Sequence, residues 1–184
     1  MNKLDLWAKI VPGTSAAGFK IGDHLSAIPD LKDPSLIIDQ KEENEKRKRG
    51  IESIGLNDVL INSKSWICHK LSSNSKLLDQ HKVFYYGDRI VMLEFNSNDI
   101  LFMIFVFEGY KGKFLDKFEI GSKLSDLTEY FELDYDSGDE LNYPSEASDS
   151  DFKGIGFYGA EQPLENNPNQ QIVGFCVHNW KLQA

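Results

Sequence analysis

Histidine, cysteine and serine are the side chains that could bind a metal ion or act as a nucleophile in this chain of 184 residues. The histidines, His24, His69, His81 and His178, follow neither an HExxH pattern nor the spacing of a zinc site. Cys68 and His69 are adjacent, so on a strand their side chains would point to opposite faces of a sheet. No GxSxG elbow is present for a serine nucleophile. The sequence therefore predicts no metal ion, no cofactor and no enzymatic activity.

Two glycine-containing patterns resemble ligand-binding loops. Gly154-Ile-Gly156-Phe-Tyr-Gly159 matches GxGxxG, but no helix is expected after it, and repeated glycines among strand residues are typical of bulges. Asp134-Tyr-Asp136-Ser-Gly138-Asp139-Glu140 alternates acids as a calcium loop does, without the spacing of an EF-hand. Calcium is therefore a minor alternative. A metal-dependent enzyme or sensor that uses the histidines and acids is a less favoured function, and metal analysis of the purified protein would test it.

The segment from Glu132 to Asp151 carries eight acidic side chains and no Lys, Arg or His. Like charges this close together lower stability unless a cation or a basic partner compensates them. A disordered solubilising loop is one interpretation. The aromatic and apolar side chains among the acids favour an interface with anchors instead: Tyr130, Phe131, Tyr135, Leu141, Tyr143 and Phe152. We expect the partner-binding residues to be Asp134, Tyr135, Asp136, Asp139, Glu140, Tyr143, Asp149 and Asp151.

The charge of the chain is distributed unevenly. Residues 1–107 hold 14 acids and 14 bases, whereas residues 108–184 hold 15 acids and 6 bases, so the second part carries the whole net charge of -9. An acidic chain repels phosphates, which argues against direct nucleic acid binding. The N-terminus lacks an uninterrupted apolar segment, and the longest apolar run, 100–107, is far shorter than the roughly 20 residues of a membrane helix. We expect a cytoplasmic protein that does not bind membranes.

Short segments rich in β-branched and aromatic residues predict an antiparallel meander between residues 65 and 107, with a tight hairpin at Tyr86-Gly87-Asp88-Arg89. Two further strands are expected at 154–158 and 171–178. The acidic segment between the two groups of strands is expected to be a specialised loop. The stretch 41–49 has no apolar residue, which predicts a solvated helix face or a loop, with Glu42, Glu43 and Glu45 offsetting its lysines and arginines.

A weak internal repeat relates Phe19-Lys-Ile21-Gly22-Asp-His-Leu25-Ser26-Ala-Ile28 to Phe118-Glu-Ile120-Gly121-Ser-Lys-Leu124-Ser125-Asp-Leu127. Each copy predicts an extended arm, a turn at Gly, and a short helix capped by Asp23 or by Ser122. The sequence therefore predicts an α+β fold of antiparallel sheet with short helices. Residues 1–184 would form one domain, with two related halves at about 1–107 and 108–184.

The segment Ile10-Val-Pro-Gly13-Thr-Ser-Ala-Ala-Gly18-Phe-Lys-Ile-Gly22-Asp-His-Leu-Ser26 resembles the start of small bacterial immunity proteins, which are encoded beside polymorphic toxins, including those of contact-dependent growth inhibition. The resemblance covers about the first 28 residues and their second copy at 118–127. It implies a cytoplasmic antidote that binds and neutralises a cognate toxin domain, often a nuclease, by covering its active site. It carries over no individual binding residue.

Charge links this resemblance to the acidic segment. Nuclease toxins are usually basic because they hold phosphates, so an acidic inhibitor can occupy the same surface. An alternative is a tandem-repeat inhibitor or scaffold of a partner that is not a nuclease, since the duplicated unit also resembles the paired helix-plus-sheet units of secreted β-lactamase inhibitors.

Overall fold

The computed structural model describes residues 3–61, 63–72, 80–145 and 150–183. A small hairpin near the N-terminus consists of β1 (Ser15–Ala16) and β2 (Phe19–Lys20). Nine strands of the described residues form one large sheet: β3 (Leu36–Asp39), β4 (Trp66–Lys70), β5 (Lys82–Tyr86), β6 (Val91–Phe95), β7 (Leu101–Phe107), β8 (Leu133–Asp136), β9 (Leu141–Pro144), β10 (Ile155–Tyr158) and β11 (Gly174–His178).

The helices are few and short. The α-helices are α1 (Gln40–Lys48) and α2 (Leu56–Leu60). Single turns of 3-10 helix lie at Leu25–Ala27, Pro29–Leu31, Ser150–Phe152 and Trp180–Leu182, and a two-turn 3-10 helix lies at Leu124–Glu129. Together with the mostly antiparallel sheet they confirm the predicted α+β class. No helix in the described part of the chain is both long enough and apolar enough to span a bilayer.

Strand order in the large sheet is β3-β4-β5-β6-β7-β11-β10-β9-β8. The predicted meander is correct, because β4, β5, β6 and β7 pair antiparallel in succession, with a hairpin between β5 and β6. Strand β3 pairs parallel with β4 at one edge, and this strand was not predicted from the sequence. The second group of strands, β8 to β11, forms another antiparallel meander.

The two meanders meet through their last strands, β7 and β11. Their antiparallel register is symmetric about the pair Phe105 and Cys176: one step to one side lies Ile104 opposite Val177, and one step to the other lies Val106 opposite Phe175. A two-fold axis at this pair relates each residue of one strand to a counterpart on the other, for example Phe107 to His178. It also relates the strands β6, β5 and β4 to β10, β9 and β8, and β3 has no counterpart.

Both copies of the sequence repeat attach to this seam through backbone hydrogen bonds. In the first copy the Gly22 amide donates to the Leu101 carbonyl at 2.7 Å, the Leu101 amide donates to Asp23 at 2.9 Å, and the Leu25 amide donates to Asp99 at 2.8 Å. Gly22 has a φ of 92°, a left-handed backbone that glycine adopts without steric cost.

The second copy repeats the same three bonds. The Gly121 amide donates to Ile172 at 2.8 Å, the Ile172 amide to Ser122 at 2.8 Å, and the Leu124 amide to Gln170 at 3.0 Å; Gly121 has a φ of 94°. The predicted caps are wrong. The turn at Leu25–Ala27 is capped by the His24 side chain, and Lys123 precedes the second turn without a side-chain cap. The backbone carbonyls of Asp23 and Ser122 instead bind the sheet.

The two faces of the sheet differ in what covers them. The inner face carries Val91, Leu93 and Phe95 at alternate positions of β6, and the N-terminal arm and both repeat turns bury it with Phe19, Ile28, Phe114, Phe118, Leu124 and Leu127. The outer face carries Met92 and Phe105, which are opposite each other in the register. On β3 to β6 the outer face is covered by α2, whose Leu60 is 1% exposed among Ile67, Val83 and Tyr85.

Helix α1 is solvated, as its composition predicted. Asp39 caps it by accepting hydrogen bonds from the Lys41 and Glu42 amides. Two basic side chains of the last turn pair within the helix, Lys46 with Glu43 and Lys48 with Glu45, and the third, Arg47, donates to the Ser53 hydroxyl. Glu43 also accepts a hydrogen bond from the Ile54 amide at 2.7 Å. Both hydrogen bonds lower the pKa of Glu43, and the one from Lys46 has the larger effect.

Candidate partner-binding surface

The acidic segment forms an edge of the sheet and not a loop over residues 133–144. Strands β8 and β9 make a hairpin in which Leu133 and Tyr135 alternate with Asp134 and Asp136, the period of a strand. Its turn is closed by the Asp136 carboxylate, which accepts from the Gly138 amide at 2.7 Å and the Asp139 amide at 3.2 Å. The charges are therefore held on an ordered scaffold.

Strand register places several of the predicted residues together on the outer face. Asp134 is directly opposite Tyr143 and Asp136 is opposite Leu141, so these four side chains share a face. Asp139, in the turn, accepts a hydrogen bond from the Tyr143 hydroxyl at 2.8 Å. Asp134, Asp136 and Asp139 are exposed. The segment thus presents three carboxylates and one aromatic ring on one side of the sheet.

Other predicted residues lie elsewhere. Tyr135 points to the inner face, and Asp151 lies in a 3-10 turn beside a separate cavity that Lys9 and Lys113 also line. Glu140 is in the turn of the hairpin with a left-handed φ of 59°. Asp149 lies outside the described residues. Tyr135 and Asp151 therefore do not share a surface with Asp134 and Asp136.

Several side chains predicted as interface anchors are part of the hydrophobic core. Phe131 and Leu141 are 5% and 2% exposed, and Phe152 packs against Phe114 and Phe131 with ring centroids 6.0 and 4.7 Å apart. Tyr130 is exposed, but it lies beside Phe118 and Lys117, away from the acidic hairpin. Aromatic content alone did not separate core residues from surface residues.

Aromatic rings lie flat on the outer face beside the acids because the strands beneath them carry glycine. A Cβ at Gly156 would lie 2.8 Å from Cε1 of Tyr143, and one at Gly174 would lie 2.5 Å from Cδ1 of Phe107. Phe107 in turn contacts Tyr158, with ring centroids 5.3 Å apart. The predicted role of Gly156 as a bulge is wrong, since β10 pairs with β11 in continuous register and a ring occupies the space above this glycine.

We call the residues Phe107, Asp134, Asp136, Tyr143 and Tyr158 the open face. The mirrored register explains why it is open: Asp134 occupies the position that Ile67 occupies in the first meander, and Tyr143 occupies that of Tyr85. Ile67 and Tyr85 are buried under α2, whereas no described α-helix lies over their counterparts, although Leu182 of the short 3-10 turn Trp180–Leu182 packs in the same cluster as Tyr143. One half of the outer face is thus closed by its own helix, and the other half ends in exposed acids.

The open face is acidic, because Asp134 and Asp136 are exposed and form no ion pair with a base among the described residues. The ion pairs of the described residues lie elsewhere, for example Lys9 with Asp116 and Lys117 with Glu129. Burial is the main cause that raises the pKa of Tyr143 far above its usual range, and the hydrogen bond to Asp139 raises it further. Burial also raises the pKa of Tyr158. Both phenols are therefore neutral at physiological pH, and the carboxylates supply the charge.

A cavity of about 730 Å³ borders the open face where β9, β10 and β11 end. His178 and Trp180 line it with Tyr143, and Lys153 and Lys181 lie at its rim. The His178 ring stacks on Trp180 with centroids 4.5 Å apart and meets Tyr143 edge-on at 5.6 Å. Sequence reasoning missed this group, because its members come from separate segments and His178 has no neighbour of metal-ligand spacing.

His81 and the two cysteines are buried in the sheet. His81 is buried and pairs with Glu94 at 3.3 Å, while burial raises the pKa of Glu94. Cys68 and Cys176 are free and buried, and burial raises the pKa of Cys68 to about 11. Across the ranges that the structure describes, no three His, Cys, Asp or Glu side chains are grouped so as to hold a metal ion.

Comparisons of the chain with protein-family models, with curated proteins and with solved structures give no match.

Proposed function

We propose that this chain is an immunity protein of the cytoplasm that binds and neutralises a cognate toxin domain, a basic nuclease. The observation that carries the proposal is the open face, an ordered half of a sheet that no described α-helix covers and that ends in Asp134 and Asp136. Its rings supply apolar contact area, and its carboxylates supply charge opposite to that of a phosphate-binding surface.

The charge pattern favours a basic partner over a nucleic acid or a membrane. Residues 108–184 hold 15 acids and 6 bases, and the carboxylates of the open face lack intramolecular ion pairs among the described residues. Uncompensated charge of one sign accelerates association with a partner of the opposite sign and discriminates against phosphates. The partner would use the same basic surface to bind its substrate, so the complex would block substrate access.

Inhibition of a partner that is not a nuclease is a second candidate, and the mirrored architecture favours it. Two meanders joined at β7 and β11, each held by the same three backbone hydrogen bonds, make a broad sheet surface that does not depend on phosphate mimicry. Under this alternative the rings of the open face dominate binding, and the acids contribute little.

The test uses the basic domain of a secreted effector encoded beside this chain. Stopped-flow association is measured across salt concentrations for the variant Asp134→Asn, Asp136→Asn, Asp139→Asn, because asparagine keeps the shape and part of the hydrogen bonding. We expect association at low salt to slow about tenfold, with a shallower salt dependence. The matched control neutralises three exposed acids of the first half, Asp33→Asn, Glu52→Gln and Asp88→Asn, and should leave both quantities near those of the parent.

The outcomes separate the candidates. Equal slowing by both triple variants would assign the effect to net charge and remove the open face from the interface. Unchanged association in the first variant, together with loss of binding in Tyr158→Ala, would favour the second candidate. Absence of any neighbouring effector that binds the chain would refute the immunity proposal.

A further inference from the structure

The two edges of the large sheet are not equivalent, and the two-fold relation between its halves shows the difference. This relation takes β4 to β8, so that Trp66 and Cys68 correspond to Leu133 and Tyr135. Strand β4 is covered, because β3 pairs with it in parallel. Strand β8 is the last strand of the sheet, and among the residues that the structure describes no strand takes the position corresponding to β3.

The backbone of β8 directs hydrogen-bonding groups towards this open side. The Ser145 amide donates to the Glu132 carbonyl at 2.9 Å, which makes these two residues a hydrogen-bonded pair of the hairpin. Such pairs alternate along an antiparallel ladder, so Asp134 also bonds to β9, whereas the amides and carbonyls of Leu133 and Tyr135 point away from it. The edge therefore offers both donors and acceptors to an added strand.

The first half of the sheet shows how a strand uses the corresponding groups. The Trp66 carbonyl, which corresponds to that of Leu133, accepts a hydrogen bond from the Ser35 amide at 2.8 Å, just before β3. Strand β3 also buries Ile38, which is 4% exposed, in the cluster beneath α2. Extended segments of partner proteins add to open sheet edges through the same kind of main-chain hydrogen bond. The β8 edge therefore has the backbone geometry for strand addition.

The side chains of β8 define the strand that fits beside it. Asp134 and Asp136 are exposed on the outer face, whereas Leu133 and Tyr135 are half-buried on the inner face. Side chains directly opposite each other on neighbouring strands share a face and interact, and opposite charges there are favourable. A complementary strand therefore carries lysine or arginine at alternate positions, opposite the two aspartates, and apolar residues between them.

A second copy of the chain does not fit this edge. Pairing of β8 with β8 of another molecule would bring Asp134 and Asp136 against like charges, which is destabilising in directly opposite positions. The net charge of -9 adds repulsion between two copies. The acids thus protect the edge against self-association and leave it open to a basic strand.

We propose that β8 receives an extended basic segment of the toxin domain as an added strand, in the place that corresponds to β3. This inference rests on the proposed function for the identity of the partner, and it adds the way in which the partner binds. The main chain of the added strand bonds to Leu133 and Tyr135, and its basic side chains lie over Asp134 and Asp136, beside the rings of the open face.

Peptides test the edge without the toxin. On the full chain, a fluorescent peptide of alternating valine and lysine should bind with a dissociation constant of roughly 10 µM to 1 mM at low salt. A peptide of the same composition with its lysines consecutive should bind at least about fivefold more weakly, and alternating valine and glutamate should not bind. Two further versions carry N-methyl groups on the valines or on the lysines. Since alternate amides of a strand point to opposite sides, only one of these two should lose binding.

Variants locate the added strand. Tyr135→Pro removes the outward amide without removing a hydrogen bond of the hairpin, and it should weaken the alternating peptide at least about tenfold. Its matched control, Tyr135→Thr, keeps the amide and should lose far less. Asp134→Asn with Asp136→Asn should weaken binding about fivefold at low salt, whereas Glu52→Gln with Asp88→Asn, at exposed positions of the first half, should not. Thermal unfolding shows whether each variant is folded, and the N-methyl pair decides if Tyr135→Pro is not.

The same variants, measured with the basic effector domain, separate this inference from the proposed function. Binding of the effector should protect the amides of Leu133 and Tyr135 from hydrogen exchange and should weaken in Tyr135→Pro. An effector that binds without either effect would overturn the added strand and leave the immunity function standing. If no effector binds but the peptides behave as described, the immunity function fails and the edge site stands. Equal binding of the alternating and consecutive peptides, or self-association that Tyr135→Pro abolishes, would also overturn the inference.

Discussion

His178 should make the folded protein sensitive to mild acid, and His178→Phe should remove that sensitivity. The ordinary pKa of this imidazole is 6.5, and burial lowers it to about 4 in the folded chain. The folded state therefore resists protonation of His178. The contribution of the neutral ring to the free energy of unfolding is complete above the unfolded pKa of 6.5, and it is lost as the pH falls towards 4. Phenylalanine is a conservative choice, because the two-fold relation between β7 and β11 places Phe107 at the position on β7 that corresponds to His178.

The magnitude follows from linkage between protonation and folding. Near pH 5 the unfolded imidazole is almost fully charged and the folded one almost fully neutral, so His178 lowers the free energy of unfolding by about 2 kcal/mol relative to pH 7.5. Asp139, which accepts the hydrogen bond of the Tyr143 hydroxyl, is a charged group that acts on the His178 ring. Lys153 and Lys181 line the same cavity as His178. These groups remain in the variant. Burial also lowers the pKa of His69, which titrates equally in both proteins and cancels in the comparison.

Urea unfolding of the parent and of His178→Phe at the two pH values is the assay. At pH 7.5 the variant should be at least as stable as the parent, since an apolar ring replaces two buried nitrogens that have no hydrogen-bond partner among the described residues. At pH 5 its advantage should grow by about 2 kcal/mol. His178→Gln is the control: it cannot titrate, so it should show the same pH difference from the parent while being less stable than the phenylalanine variant. A parent-to-variant difference that is the same at both pH values would refute the assignment of a buried neutral imidazole.

Two further predictions concern the sheet surfaces. Gly156→Ala should destabilise the protein by about 1–3 kcal/mol, because the new methyl group would overlap Tyr143. In a double-mutant cycle measured by urea unfolding, Tyr143→Ala should relieve most of this cost. Additive effects of the two substitutions would disprove the contact. Leu60→Ala should cost about 2–4 kcal/mol by loosening α2 from the outer face, since Leu60 is 1% exposed. The control Ile61→Ala, at a side chain that is 62% exposed, should cost less than about 0.5 kcal/mol, and equal losses at the two positions would contradict the packing of α2.

The strands were predictable where apolar residues dominate their pattern. Leu101–Phe107 has six buried residues among seven, as expected of a strand that is covered on both faces. Val91–Phe95 alternates between buried and half-buried positions, so both strands could be identified from the sequence. Leu133–Asp136 also alternates, but the acidic composition of the segment predicts a loop. The hairpin follows from the period of two at Leu133 and Tyr135, which the charge obscured.

The candidate site was predictable only in part. Asp134, Asp136, Asp139 and Tyr143 do come together, since they belong to one hairpin and local pairing fixes their face. Tyr135 and Asp151 were placed with them by proximity in the sequence, which does not distinguish the two faces of a strand. His178 and Trp180 were missed because their environment depends on β9 and β10, which lie far from them in sequence.

The sequence alone determined several local elements of this protein: the glycine turns of both repeats, the strands β4 to β7, β10 and β11, and a surplus of negative charge after residue 107. Short-range sterics and side-chain periodicity control these features, and both are readable residue by residue. Tertiary structure decided that β7 pairs with β11, that α2 covers one half of the outer face, and that the other half ends in Asp134 and Asp136. Those outcomes depend on contacts between residues distant in the chain, whose free energy comes from apolar area buried between them and not from any single segment.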